Sequence, residues 1–565
     1  MDIGVPSVRN LFRIKLERMI LWIAIGITSI PLHLLYNSAV YTSLAANNFL
    51  VTLVANNHFE PGAYSNTAGV DHSFREISRN ATTGKEYGDI GYQTDSYEIQ
   101  LLTSMLEGHN ASTPSYEDLT PSQCTNLYKA DFMSNHRNLF LISNYTSADT
   151  HNNTILDMTI VMGDEMSSNS WICYWQRTSI DGNDRHTTPQ CNPNEFSSNM
   201  AGGLPWQMNL TSVGVIEITG CKSEITNEKC KVQFSLGIMI AVICCNFVKV
   251  CSMIMTIVRA REPTLVTLGD AVDSFLRTPD PSTVGICFAD RRFIEREWRR
   301  GWKTGPRQWK QNAVQRWWTS VSKTRWITCN FCFAIIMIAA AVLLRLGIRN
   351  DGQVWNTDLK SMWSRGFGKV NSVSLIAINS RNLNITQASL LANLPQTILS
   401  FLYLTYNSLF TCMLSGHEWS LFGHHHRTLR VTSPRLSQRS TYWLQIPYTY
   451  AIPLMILSGL LHWLTSLSLF LARVEISDPF GREISATKST AGYSCIAIIF
   501  VLTLGILALL IAAGMGYRPF SAEITTVGSC SAAISAACHT WGADSESIIG
   551  RKVRWGMWES YRIWG

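Results

Sequence analysis

The sequence predicts an all-α multi-pass transmembrane helix bundle with a separate α+β extracytoplasmic domain, and three observations predict it. Of 565 residues, 46% are hydrophobic and only 15% charged, well short of the quarter that soluble proteins carry. The apolar residues are bunched into six long windows rather than spread along the chain. Between the first two windows lies a polar stretch, 41–231, long enough to bury a core of its own. A disordered chain is excluded, because such chains lack the apolar residues found here.

A bilayer core about 30 Å thick requires roughly 20 mostly apolar residues in helical form. The windows that satisfy this are 19–40, 232–258, 326–346, 394–414, 446–471 and 495–516, and none contains Asp or Glu. Pro31 and Pro453 fall inside spans, where neighbouring helices re-satisfy the carbonyls that proline frees. Arg9, Arg13, Lys15 and Arg18 precede the first window, and no clear small-residue cleavage site follows it. It is expected to be a signal anchor with its N-terminus inside.

Two independent signals give the orientation. Segment 259–325 holds fourteen basic and seven acidic side chains, and 415–445 adds Arg427, Arg430, Arg435 and Arg439; excess Lys and Arg mark cytosolic segments. The six glycosylation sequons start at Asn80, Asn110, Asn144, Asn152, Asn209 and Asn384. All fall in 41–231 or 347–393, which alternation places outside together with 472–494. The N-terminus 1–18 and the tail 517–565 are therefore expected in the cytosol. The expected location is an integral membrane position in the secretory pathway or plasma membrane.

Within 41–231, "LFLISNYTS", "TILDMTIVM" and "GVIEITG" carry strand-like residues, while "YEIQLLTSMLEG" and "DLTPSQCTNLYKA" suit helices. Thr120 before Pro121 is a helix start. This block has ten basic and 21 acidic side chains, a charge of −11, so the net +7 of the chain leaves +18 for the rest. Its cysteines, Cys124, Cys173, Cys191, Cys221 and Cys230, are disulfide candidates in an oxidising lumen. Cys221 and Cys230 are spaced to close a local loop, but an odd number leaves one over and spacing does not fix the connectivity. No tight Cys or His pairing of the zinc kind is present.

Catalytic and phosphate-binding motifs are absent, so no enzyme activity, cofactor or metal is expected. Cys329 and Cys332 are expected to be packed helix residues, and His424, His425 and His426 a solvated basic loop. Polar residues inside the spans are more informative, because they are costly in hydrocarbon. Ser29, His33 and Asn37 form one helical stripe; Gln396, Ser400, Tyr403 and Asn407 a second; Ser458, His462 and Ser466 a third. With Asn246 and Lys249 they either line a polar path for a small solute or proton, or act as interhelical hydrogen bonds worth about 1 kcal/mol each. Lys249 is also placed to snorkel toward the cytosolic face.

From Arg291 to Arg325 there are eleven basic and two acidic side chains interleaved with Trp298, Trp302, Trp309, Trp317 and Trp318. Cations plus indoles beside a span suit an interfacial segment that contacts anionic lipid; nucleic acid is not an expected partner. Upstream, Leu265, Leu268, Val272, Phe275 and Leu276 repeat at helical spacing. This helix either lies on the membrane surface or packs against other cytosolic segments.

Several strings invite comparison with known families: "DIGVPSVRNLFRI", "CKVQFSLGIMIAVICCNFVKV", "TLGDAVDSFLRTPDPST", "NLPQTILSFLYLTYNSLFTCML", "QRSTYWLQIPYTYAIPLMILSGLLHW" and "VGSCSAAISAACH". By these the chain resembles the fungal multi-pass membrane proteins with the domain of unknown function DUF6536. The resemblance implies a fungal multi-pass membrane protein and no activity that transfers to residues. Family members usually carry further spans before the "DIGVPSVRN" string, whereas this chain begins on it, so a shortened form is expected. The leading functional expectation is a non-enzymatic membrane component. The alternatives are a transporter or channel-like protein using His33, Asn37, Gln396, Tyr403, Asn407 and His462, and a receptor or scaffold with a ligand-binding ectodomain.

Overall fold

The computed structural model describes residues 1–60, 116–128, 132–146, 154–161, 171–172, 193–210, 213–227, 231–259, 264–286, 289–296, 314–352, 357–371, 374–376, 384–477, 479, 484–522, 524–539 and 548–556. Among them are six helices long and apolar enough to cross a membrane: Leu16–Leu35 (continued as a 3-10 turn to Ser38), Leu236–Arg259, Lys323–Asp351, Ile385–Leu421, Tyr448–Ser468 and Cys495–Tyr517. They alternate in direction, so the bundle has two distinct ends. One bears β-sheet and the other is rich in cations.

The fourth span organises the bundle. Its 37 residues correspond to about 55 Å at 1.5 Å per residue, well beyond the window 394–414, and it is the most buried of the six. Leu402, Tyr406, Leu409 and Met413 from it pack with Cys329 and Phe333 of the third span, Ala451 and Leu454 of the fifth, and Ala508 and Ala512 of the sixth. The Tyr406 hydroxyl donates to the Ala508 carbonyl at 2.7 Å. Close approach is built in at Gly505, where a methyl group would lie 2.7 Å from the Met337 sulfur. Cys329 is part of this packed core, and Thr405 donates to its sulfur at 3.6 Å.

Spans one and two form a pair that leans on span four. Leu32, Leu35 and Ala39 meet Ile238, Met239 and Val242, and Arg259 closes the pair at the cationic end with a 3.1 Å bridge to Glu17.

At the other end the helices run straight into strands. β1 (Val40–Asn47) follows span one, β8 (Lys231–Phe234) precedes span two, β11 (Leu469–Ser477) follows span five and β12 (Ile484–Tyr493) precedes span six. They form one sheet of order β12-β11-β1-β8, with β1 and β11 parallel. Segment 472–494 is therefore a hairpin rather than a plain loop, and the extended residues 469–471 shorten the fifth span at Ser468. This sheet joins the ends of spans one, two, five and six, one strand from each.

A second sheet holds β2 (Phe49–Val54), β3 (Tyr116–Leu119), β4 (His136–Ser143), β5 (Ile155–Val161), β6 (Gln207–Leu210) and β7 (Gly214–Ile225), in the order β3-β7-β4-β2-β5 with β6 also on β7. The strings expected as strands form β4, β5 and β7. Thr120 caps the helix Pro121–Leu127 through a box with Gln123, as its sequence implies. "YEIQLLTSMLEG" lies outside the described residues. The core contains Phe49, Val51, Leu53, Tyr128, Leu139, Leu141, Trp171, Trp206 and Met208. Beneath it, the Glu224 carboxylate is wholly buried and held by Arg137 and by the Asn138 side-chain amide.

The cationic end carries a compact layer. Leu268, Val272 and Leu276 of the helix Leu268–Arg277 pack with Phe293, Trp419, Phe422, Leu429, Val431, Ile524, Val527 and Ile534. Of the two expectations for this amphipathic helix, the structure realises packing against other segments. Its Asp270 closes a capping box with Thr267 and accepts from the Thr432 amide at 2.7 Å. The short parallel strands β9 (Arg430–Val431) and β10 (Arg439–Ser440) complete the layer. Ile3 inserts into the same core, its amide donating to the Ser529 carbonyl at 2.8 Å.

Candidate functional site

Part of the polar set expected from the sequence does come together. Gln396 and His462 make a two-point clasp between spans four and five: Gln396 Nε2 donates to the His462 carbonyl at 2.8 Å, and His462 Nδ1 lies 2.6 Å from Gln396 Oε1. His33 from span one stacks on His462 with ring centroids 6.5 Å apart, and its Nδ1 is 3.3 Å from Ser400 Oγ. Asn393, which the sequence stripes missed, donates to the Leu34 carbonyl and to Ser38 Oγ at 2.8 and 2.7 Å. Lys249 does not extend to the cationic end. It donates to Ser29 Oγ at 2.9 Å, joining spans two and one at a common depth.

The remainder of the proposed path diverges. Tyr403 faces a small apolar cavity of about 60 Å³ with Phe333, Leu457, Ser458 and Gly505. Asn407 is half-buried and offers its carbonyl to Thr411 within its own helix at 2.8 Å. Asn37 is exposed in the turn before β1. The polar groups thus tie helices together in pairs in the half of the bundle nearer the sheets.

A different feature lies at the cationic end, at the feet of spans three and six. The turn Trp317–Ser320 leads into Ser322, whose hydroxyl accepts from the Arg325 amide at 3.3 Å and caps span three. Trp326 Nε1 donates to the Trp318 carbonyl at 3.3 Å, and the Arg316 guanidinium lies 3.5 Å over the Tyr517 ring. These contacts wall a cleft of about 570 Å³ lined by Arg9, Arg291, Arg292 and Lys323 together with Trp318, Trp326, Tyr517 and Thr526. Arg9, Arg292 and Lys323 are exposed at the rim, whereas Arg291 is buried. Among the described residues the lining contains no carboxylate. The positive end of the span-three helix dipole points into the same space.

Charge beneath the cleft is balanced by Asp2. Burial alone would raise its carboxyl, but hydrogen bonding from Ser7, the Arg325 guanidinium and the Ser529 hydroxyl together hold it below the ordinary aspartate value. Cations and indoles around one cleft suit an anionic ligand. The sequence pointed to 291–325; the cleft adds Arg9, Tyr517 and Thr526 from distant segments, while 297–313 lie outside the described residues.

Of the remaining expected residues, those that are described lie at the sheet-bearing end. Asn144 is exposed after β4 and its side-chain oxygen accepts from the Glu217 amide at 3.0 Å. Asn209 falls in β6, and Asn384 is exposed immediately before span four. Asn80, Asn110 and Asn152 lie outside the described residues, as do Cys173, Cys191 and Cys230. Cys124 and Cys221 are both buried and in contact with each other. Among the described residues no three His, Cys, Asp or Glu side chains are grouped as metal ligands.

No curated protein and no solved structure matches the chain. Two family models do. Residues 303–562 match a domain of unknown function, DUF8419, and residues 1–43 match a family of unknown function, DUF6536. The cleft draws on both regions: Arg9 comes from 1–43, and Trp318, Lys323, Trp326 and Tyr517 from 303–562. The strings centred on "NLPQTILSF", "QRSTYWLQ" and "VGSCSAAIS" fall within 303–562, and those in the second span and in "TLGDAVDSF" fall in neither match. The described residues thus include six apolar helices of membrane-crossing length, and the chain is similar to the family DUF6536 over residues 1–43 and to the domain DUF8419 over residues 303–562.

Proposed function

We propose that this protein is a non-enzymatic integral membrane component that holds an anionic lipid headgroup in the cleft at its cytosolic face. The observation that carries the reading is the lining itself: four cationic side chains, two indoles and a phenol around about 570 Å³, with no carboxylate among the described lining residues. Arginine forks match phosphate geometry, and the cytosolic leaflet is the anionic one. In this orientation the cationic end and both termini face the cytosol, and the sheets with their sequons face the lumen or exterior.

The test is binding to vesicles of phosphatidylcholine with and without a phosphorylated inositol lipid, comparing the native chain with the double variant Arg292→Ala, Lys323→Ala. At about 1 kcal/mol per surface cation, the double variant should lose roughly 30-fold in affinity for the anionic vesicles, with no change on neutral ones. Equal affinity of the two proteins would sink the reading.

The alternatives have less support. For transport, the Gln396–His462 clasp consumes the polar groups in helix pairing, and Tyr403 and Asn407 do not continue the file. For a ligand-reading ectodomain, Phe49, Tyr128, Trp171 and Trp206 fill the domain core rather than a pocket.

A further inference from the structure

We infer that Cys124 and Cys221 are joined by a disulfide that fastens the helix after β3 to the long strand β7. The inference rests on the orientation proposed above, which places these residues in an oxidising compartment.

The local structure brings the two sulfurs together from both directions. β3 pairs with β7 so that Leu119 lies opposite Cys221, and on the other side of β7 Cys221 lies opposite Leu141 of β4. Cys221 is therefore fixed between two neighbours in the sheet. Just after Leu119 the capped helix Pro121–Leu127 folds back over that sheet, its Cys124 amide donating to the Thr120 carbonyl at 2.9 Å. The Cys124 thiol then meets Cys221, with 0% and 1% of the two residues exposed.

The distribution of the other described cysteines sharpens the case. Cys244, Cys245, Cys251, Cys329, Cys332, Cys412 and Cys495 belong to the spans, and Cys530 and Cys538 to the cationic-end layer. Cys124 and Cys221 are the two described cysteines in the outer domain, and they touch. Free buried cysteines do serve as small apolar residues, but a lumenal pair in contact is the situation in which oxidation is favoured.

Both thiols are shut off from solvent in the finished core, and exchange needs an accessible thiolate, so the bond forms while the helix is still open, before the core closes over it. In that step the two thiols give up two protons and two electrons as the S–S bond forms. A lumenal disulfide oxidant takes them up and becomes a dithiol.

The experiment is mass spectrometry of the full chain isolated from membranes, with free thiols alkylated during denaturation and digestion carried out without reductant. The expected result is a crosslinked peptide pair joining Cys124 to Cys221, with Cys329 and Cys412 alkylated after unfolding. A glycosylated Asn144 in the same sample establishes the orientation independently. Glycosylated Asn144 with both cysteines alkylated, or with either linked to Cys173, Cys191 or Cys230, overturns the pairing alone. Unmodified Asn144 with both thiols free overturns the orientation and the pairing together. As a second readout, Cys124→Ala, Cys221→Ala and the double variant should lose the same amount of protease resistance; additive losses count against a shared bond.

Discussion

Asp2 and Arg325 are joined by a 3.2 Å ion pair across 323 residues of sequence. The Asp2 carboxylate also accepts from Ser7 Oγ at 2.7 Å and from Ser529 Oγ at 2.9 Å, and Arg325 continues the network to Ser408 of span four. The N-terminal segment is in this way stitched to the feet of spans three and four and to the C-terminal part of the chain.

Removing the carboxylate leaves Arg325 partly buried without its ion partner. Asp2→Ala is expected to destabilise this corner by about 2 kcal/mol and to expose residues 1–12 to protease. The check is the rate of N-terminal cleavage in lipid nanodiscs, where an unchanged rate contradicts the stitching role.

The same pair gives a pH dependence with a definite sign. Because the Asp2 carboxyl is held below its ordinary value of 3.8 when folded, its contribution is complete above about pH 4 and disappears as pH falls through the lower folded value. N-terminal cleavage should be flat from pH 8 to pH 5 as far as this group is concerned and rise below pH 4. Asp2→Asn should remove that acid step.

Gly269 faces the Arg430 backbone, and a methyl group there would overlap the Arg430 carbonyl. Backbone cannot swing aside as a flexible side chain does, so Gly269→Ala is expected to lose about 3 kcal/mol or more. Thermal unfolding in detergent measures this, with Gly237→Ala, which meets nothing within 4 Å, as the control.

His462→Ala leaves Gln396 Oε1 without its imidazole partner inside the bundle, while the Nε2 bond to the main-chain carbonyl at position 462 remains. A loss of about 1 kcal/mol is expected, in line with interhelical hydrogen bonds in membranes, without effect on binding to anionic vesicles. Solute flux that depends on His462 would instead revive the transport reading.

Asn144→Gln and Asn384→Gln should each remove one glycan, seen as a mobility shift that glycosidase treatment abolishes. Both sites lie at the sheet-bearing end, so a glycan at either fixes which end faces the lumen. Protection of the sheet-bearing end from protease added to intact cells, in the absence of any glycan, would reverse the assignment.

The windows of apolar residues located all six long helices, since the requirement of about 20 apolar residues is nearly independent of context. Their ends were less legible. Leu469–Leu471 are as apolar as the helix before them but pair with Tyr493, Gly492 and Ala491, a tertiary preference that hydropathy does not encode. Polar stripes found His33, Gln396 and His462 through helical spacing, yet the same spacing also selected Tyr403 and Asn407, whose faces turn elsewhere. The cleft was half legible: the cations and indoles of 291–325 stand out in the sequence, whereas Arg9 and Tyr517 join them only through the fold.

The four-stranded sheet constrains how the helices can move. β1 is continuous with span one and β11 with span five, in register from Ser43 with Arg473 to Asn47 with Ser477. A slide of one span past the other by a single residue, about 3.3 Å, would break every one of those pairings and turn each strand's buried side chains outward. Spans one and five can tilt together as a yoked pair, but a piston stroke of one against the other would first have to tear the yoke.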